Sequence, residues 1–378
     1  MKYKFLILLS LIATLLMSSC IKEEALNAEA DIEEAHIEHE ELTLQTRPSI
    51  GNDRIVFRLK RFSGNYLYSP EFVLTEGATI EPKSGTERDF FEPQKYTVTS
   101  QDGAWSKTYT VSFIVDDGAE FYSAFENVEI IDTEGPEGHF HQFFELTKGG
   151  QRKYTWATAN EGYNILAETL LGEGENLVPD FYPTAQILDG YIGKGARLMT
   201  KSTGPLGGMF GSPLAAGNLF VGEFKLTFPT INSTHFGLPY GHEKAPVALK
   251  GLFKYKAGGE FVVNTKPSQL SKDTWDGYAI LFEKTTGLGD DFLTGSHGFK
   301  DQRIVSIARI GAKEQIETDK WTFFEVPFSF VNGKSFDPNK EYMYTIVFSS
   351  SKEGDMFNGA VGSTLYIDEV ELVVDQSK

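Results

Sequence analysis

The feature that most constrains this chain is an alternation of apolar and polar residues with period two, repeated in segment after segment. A strand turns successive side chains to opposite faces, so this pattern marks strands with one buried face. Ile55, Phe57 and Leu59 alternate with polar neighbours, as do Phe72 and Leu74. Tyr96 and Val98 lead into the turn Gln101-Asp102-Gly103, and Tyr109, Val111, Phe113 and Val115 answer after it, the pattern of a hairpin. Farther on come Phe220, Gly222, Phe224 and Leu226, then Leu249, Gly251, Phe253 and Tyr255. Tyr278, Ile280 and Phe282 make a third such run, and Tyr342, Tyr344, Ile346 and Phe348 a fourth. No helical stretch is predicted between them.

Asp116-Asp117-Gly118 favours a turn over a strand interior and divides the chain. The predicted fold class is all-β: an immunoglobulin-like β-sandwich over residues 42–117, then a larger β-jelly-roll sandwich over 118–378. Within the closing strand, Leu365 to Val374, the phase slips between Ile367 and Val370, as a β-bulge at Asp368-Glu369 would cause. Trp105, just after the hairpin turn, is read as a packing residue. Repeats of fixed period are absent, which excludes a solenoid or propeller. Gly204 to Gly217 is glycine-rich but lacks a Gly-Lys-Ser/Thr ending, so it reads as a loop and not a phosphate cradle.

The N-terminus carries an address. Lys2 and Lys4 precede an apolar run from Phe5 to Met17 that is too short to span a bilayer, and Ser18-Ser19 stands before the single cysteine, Cys20. The arrangement resembles a bacterial lipobox, which implies a lipoprotein signal peptide over 1–19 and a lipid-bearing Cys20. Residues 20–41, rich in Glu, are read as an acidic tether. Ile21-Lys22-Glu23-Glu24 resembles the export signal of Bacteroidetes surface lipoproteins, so the expected location is the outer membrane, facing the cell surface, with the membrane touched through the anchor only. His36 and His39 lie in this segment and are read as solvated.

Residues 1–19 hold two lysines and no acid, so the formal charge of −18 becomes −20 on the processed chain. Nucleic acid is excluded as a partner, since phosphates demand a basic face. With Cys20 committed to lipid, no disulfide can form within the chain.

Four segments carry a family likeness: Asn27 to Ile32, Ala216 to Gly222, Leu249 to Tyr255, and Ser349 to Glu369 with its Gly362-Ser363-Thr364-Leu365-Tyr366-Ile367-Asp368-Glu369 ending. Their order and spacing resemble the putative carbohydrate metabolism domain proteins of Bacteroidetes. The resemblance implies an immunoglobulin-like domain before a jelly roll, and a glycan pocket in the latter.

Sugars present apolar C–H faces ringed by hydroxyls, so a site for them needs an aromatic platform and short polar side chains. Tyr154, Trp156, Asn160, Tyr163 and Asn164 lie within eleven residues, in a segment read as a loop. Asp273-Thr274-Trp275-Asp276 offers carboxylates beside an indole, with Asp276 as the polar anchor. A glycosidase would need two carboxylates across the scissile bond; Glu126, Asp276 and Glu283 could be nominated, but no short motif fixes a pair. No nucleophile elbow, zincin motif or Cys/His ligand cluster occurs. His139 and His141 are spaced to share a strand face. A structural calcium could lie between Glu126 and Asp368 if the first and last jelly-roll strands run side by side.

The expected partner is a polysaccharide or oligosaccharide, bound at the cell surface in carbohydrate utilisation. A glycoside hydrolase or lyase with a carboxylate-lined pocket is the alternative. A third reading is an adhesin or assembly component that recognises neighbouring envelope proteins.

Overall fold

The computed structural model describes residues 25–59, 66–115, 121–131, 139–147, 150–172, 176–264, 266–285 and 291–374. Cys20 and the signal segment lie outside the described residues. The chain is all-β in architecture, and it divides into two compact units, one on each side of Asp116 and Asp117.

In the first unit a five-stranded sheet runs in the order Leu44–Ile50, Arg54–Leu59, Ser106–Val115, Gln94–Thr99, Thr79–Glu81. Its pairs are antiparallel except Arg54–Leu59 beside Ser106–Val115, which run parallel in register from Arg54 opposite Thr110 to Leu59 opposite Val115. The predicted alternation sets its inner face: Ile55, Phe57, Leu59, Tyr96, Val98, Tyr109 and Val111 are all buried in one cluster. At the predicted turn, the Asp102 carboxylate accepts hydrogen bonds from the Ser100 hydroxyl and the Ala104 amide at 2.6 and 2.8 Å, while Gly103 takes a positive φ of 69°. Trp105 does not close the hairpin from within: it is 66% exposed.

The described part of the expected tether is a strand. Ile32–His36 pairs antiparallel with Glu71–Leu74, and Ala30, Ile32 and Ala35 enter the core. The pairing is irregular between Ile32 and Glu34, which moves the buried positions from 30 and 32 to 35 and hides the alternation behind the glutamates. Asp31 anchors the strand, accepting hydrogen bonds from Lys107 Nζ at 2.6 Å and the Tyr109 hydroxyl at 2.9 Å. Both hold its carboxyl below the usual range. His36 likewise bonds Glu34 and Glu40 through its two ring nitrogens, so it is not simply solvated.

The second unit closes two antiparallel sheets over one another. The six-stranded sheet has the order Thr184–Ile187, Gly195–Met199, Thr364–Val374, Pro246–Lys256, Thr318–Pro327, with Tyr122–Ser123 also on Thr364–Val374. The eight-stranded sheet has the order Trp156–Ala157, Asn218–Phe224, Tyr342–Ser349, Asp276–Glu283, Ile304–Arg309, Ser329–Phe330. Two short strands, Thr234–Phe236 and Leu238–Tyr240, join it at Asn218–Phe224 and Tyr342–Ser349. Leu249, Phe253 and Tyr255 from one sheet meet Ala279, Leu281, Tyr344, Ile346 and Phe348 from the other in the main core. A second cluster, including Phe220, Ile280, Phe282 and Met343, covers much of the outer face of the eight-stranded sheet. The bulge falls where the phase slip places it: Leu252 faces Asp368 but Lys250 faces Glu371, and Glu369 has a φ of 52°.

Three α-helices interrupt the strands among the described residues, the longest being Asn160–Leu170 and the shortest Glu40–Thr43. Asn160, Tyr163, Asn164 and Ala167, at helical spacing, form the buried stripe of Asn160–Leu170. The periodicity escapes a search for aliphatic residues because two of the four are asparagines. Gly204–Met209, in the glycine-rich segment, is a short helix as well.

The packing of residues 30–35 has a direct check. Ile32→Ala should lower the unfolding free energy of the first unit by roughly 2–5 kcal/mol in urea titrations; an unchanged midpoint would mean that the segment hangs free.

Candidate functional site

Most side chains that resemble sugar ligands by composition are committed to the fold. Trp156 is 3% exposed, its Nε1 donates to the Ser123 hydroxyl at 2.7 Å, and its ring packs against Phe125 and Phe348. Asn160 ties the helix to the next strand, its amide donating to the Thr184 carbonyl at 2.7 Å and its oxygen accepting the Thr184 amide at 3.1 Å. The Tyr163 hydroxyl donates to the Ser202 carbonyl at 3.0 Å, and burial pushes it up to about 12. Asn164 Oδ1 accepts the Tyr182 hydroxyl at 2.6 Å. The side chains of these four residues are therefore buried and tied to neighbouring segments of the fold. Their predicted loop is a strand and a helix, and apolar demand draws the indole inside.

Trp275 is also core, 0% exposed, with Nε1 donating to the Glu314 carbonyl at 3.1 Å and its ring 4.6 Å from that of Phe253. Beside it, buried Asp273 is a staple. Its Oδ2 accepts the hydroxyls of Ser351 and Ser363, both at 2.6 Å, and the Ala360 amide at 2.7 Å. Burial raises its pKa even against these donors.

Glu126 and Asp368 both hold the loop between Gly190 and Lys194. Asp368 Oδ2 accepts the amides of Tyr191 and Ile192 at 2.7 and 3.3 Å, and Glu126 Oε1 accepts that of Lys194 at 3.2 Å. The loop fits closely: a Cβ on Gly193 would lie 2.4 Å from Glu126 Oε1. Calcium asks for six to eight oxygens. Here the carboxylates clasp backbone, and no group of three or more metal-ligating side chains occurs among the described residues, so this donor set does not fit the ion. Glu283 is tied to Lys334 and Lys340 at 2.5 and 2.7 Å. His141 Nδ1 accepts the Gln186 amide at 3.0 Å, which joins two strands.

Asp276 is buried too, at 5% exposure, but the side chain that holds it, Arg309, is exposed. This aspartate starts the strand Asp276–Glu283, whose odd positions Gly277, Ala279 and Leu281 face the main core, so Asp276 and Tyr278 face outward. Arg309, opposite Tyr278 on the neighbouring strand, grips Asp276 with a fork: Nε to Oδ1 at 3.2 Å and a terminal nitrogen to Oδ2 at 2.5 Å. The loop following the turn Gly295–His297 supplies a wall. Phe299 lies with its ring 4.2 Å from the Arg309 guanidinium carbon and 4.9 Å from the rings of both Tyr278 and His297. Phe299 has a φ of 59°, a strained conformation for a bulky residue and one that recurs at ligand sites. The charge of Asp355, on the turn Gly354–Met356, is felt weakly at Tyr278.

Desolvation acts on several of these groups. Burial, then the charge of Asp276, pushes the Tyr278 hydroxyl well up, yet the residue stays part-exposed. Asp355 is exposed, yet desolvation by its surroundings raises its carboxyl too. His297 accepts the Phe299 amide on Nδ1 at 2.9 Å, and burial pushes it down to about 4. Around the buried Asp276 carboxylate, the exposed Arg309 guanidinium and the part-exposed Tyr278 phenol, His297 imidazole, uncharged at neutral pH, and Phe299 ring offer hydrogen bonds beside an apolar face. Sequence reading finds only Asp276, because Arg309, His297 and Phe299 lie in separate segments that the sheet and its turns bring together.

Residues 124–373 match the family described as putative carbohydrate metabolism domain. The chain belongs to that family. Residues 54–112 match the N-terminal domain described as SGBP, N-terminal. Among solved structures, a putative glycoside hydrolase from Bacteroides thetaiotaomicron is 40% identical, with a TM-score of 0.59 over 94% of this chain and 100% of that one. A second, from Bacteroides vulgatus, is 34% identical, with a TM-score of 0.58 over 68% of this chain and 98% of the other. Curated proteins give no match.

His297 supplies a pH test. Its pKa is lower in the folded chain than its ordinary value of 6.5, so between pH 6.5 and about 4 the unfolded chain binds more protons, and stability should rise with pH across that window. Thermal melts should show a shallower rise for His297→Gln than for the parent; equal slopes would contradict the buried, neutral imidazole.

Proposed function

We propose that this protein is a cell-surface lipoprotein of the outer membrane that binds glycan in carbohydrate utilisation, with the ligand seated at Asp276, Tyr278, Arg309 and Phe299. Its family membership supports a glycan-related role. The observation that carries the reading is the Asp276/Arg309 fork beside the Tyr278 and Phe299 rings. A fork of fixed donors and acceptors matches vicinal hydroxyls, and the rings receive the C–H face of a sugar. The lipobox at Cys20 supports anchoring, and the first unit would act as a spacer from the membrane. Neighbouring envelope proteins would then be partners in handling the glycan.

Hydrolysis is the second reading, favoured by the raised carboxyl of Asp355 and by the names of the two solved relatives. A glycosidase divides its work between two carboxylates, and Asp276 is held by Arg309. Binding without cleavage is therefore the better account.

Affinity electrophoresis in a panel of neutral polysaccharides should show retention of the parent protein. Arg309→Ala should weaken it by about 10- to 100-fold, the cost of losing hydrogen bonds to a charged group, while no reducing ends are released. Release of reducing ends that Asp355→Asn abolishes would favour the hydrolase instead. Separately, Cys20→Ala should move the protein from the membrane fraction to the soluble fraction; retention in the membrane would count against the anchor.

A further inference from the structure

The outer face of the six-stranded sheet carries a row of side chains that no sugar-ligand reading of the sequence includes. On that sheet Arg197 stands opposite Tyr366, and Tyr366 opposite Lys254. Their strand neighbours Ala196, Leu198, Leu365, Ile367, Phe253 and Tyr255 all point into the main core, so these three point outward. Trp321, on the strand Thr318–Pro327 at the sheet edge, extends the row. The Lys254 ammonium lies between two rings, 4.5 Å from the centroid of Trp321 and 5.0 Å from that of Tyr366. Lys254, Tyr366 and Trp321 remain part-exposed, and Phe323, two residues beyond Trp321, is 52% exposed.

Farther along the same face Lys250 pairs with Glu371 at 3.1 Å, whereas the cations of this row are differently placed. In a chain of net charge −18, Lys254 makes no ion pair among the described residues. Arg197 is buried beside Tyr366, its Nε has no hydrogen-bond partner, and its terminal nitrogens reach the Asp180 carboxylate and the carbonyls of Asp180 and Tyr182. Lys201 also donates to the Asp180 carbonyl, at 2.9 Å. Burial, then the neighbouring charge of Arg197, pushes Lys201 down to about 8. Asp180 is the carboxylate paired with this group, and it faces solvent. A neutral sugar needs none of this charge, whereas a sugar bearing an anionic group needs both a cation and an aromatic surface.

We propose that the row Arg197, Tyr366, Lys254 and Trp321 is a second carbohydrate subsite, independent of Asp276 and Arg309, that takes an acidic sugar. The anionic group, a uronate carboxylate or a sulfate ester, pairs with Lys254 Nζ, and the sugar ring lies against Trp321. The positive field of Arg197 and Lys201 draws it toward the row.

The test is affinity electrophoresis of the full chain in polygalacturonate, in dextran sulfate and in unmodified dextran. Retention in either acidic polymer but not in dextran, weakened about 10- to 100-fold by Lys254→Gln, supports the proposal and identifies the carboxylate or the sulfate as the source. Lys254→Arg should restore retention, Trp321→Ala should reduce it, and added salt should weaken it. Arg309→Ala should leave retention in the acidic polymers unchanged, so failure at the first site is told apart from failure here. Circular dichroism of each variant checks folding. Absence of retention in both acidic polymers, or retention indifferent to Lys254→Gln, would overturn the proposal. So would Lys254-dependent binding to anionic phospholipid vesicles without binding to either polymer.

Discussion

Closure of the six-stranded sheet over the eight-stranded one is the constraint on which the second unit depends. Two extended sheets leave a wide apolar gap, and this chain fills it with aromatic residues: Trp156, Trp275, Phe253, Phe324 and Phe348 share one cluster. An indole there contributes a large buried area, but its N–H must find a partner. Trp156 uses the Ser123 hydroxyl and Trp275 the Glu314 carbonyl. Both indoles are thereby committed to the core.

The outer faces of the two sheets are finished differently. On the eight-stranded sheet, Phe220, Ile280, Phe282 and Met343 are covered, leaving the end marked by Asp276, Tyr278 and Arg309 as the polar opening. On the six-stranded sheet, the bulge at Glu369 and the loop clasped by Asp368 and Glu126 shape one part, and the Lys254 row occupies another. Fold and site are connected through the strand period: a residue pointing inward packs, and its neighbour pointing outward is free for chemistry.

The strands were legible because alternation is a local signal. Ile55, Phe57, Tyr278, Ile280 and Tyr344 lie on strands where the pattern puts them. The strand at Ile32 was hidden by an irregular register, and the helix at Asn160 by a stripe in which asparagines replace aliphatic residues. The site was much less legible. Residues that suit a sugar by type, such as Trp156 and Asn164, suit a sandwich core or a helix clamp equally well, and composition cannot tell which face they take. Arg309 and Phe299 gain their meaning only once the sheet sets Arg309 beside Tyr278 and the loop after Gly295–His297 brings Phe299 against both.

Hydrogen–deuterium exchange with and without a bound neutral oligosaccharide puts the central claim, recognition on an outer sheet face and not at the buried indoles, to the most direct test. The account predicts slowed exchange in peptides covering Asp276 to Tyr278 and His297 to Phe299, with Tyr154 to Asn164 unaffected. Slowed exchange confined to Tyr154 to Asn164 would contradict it.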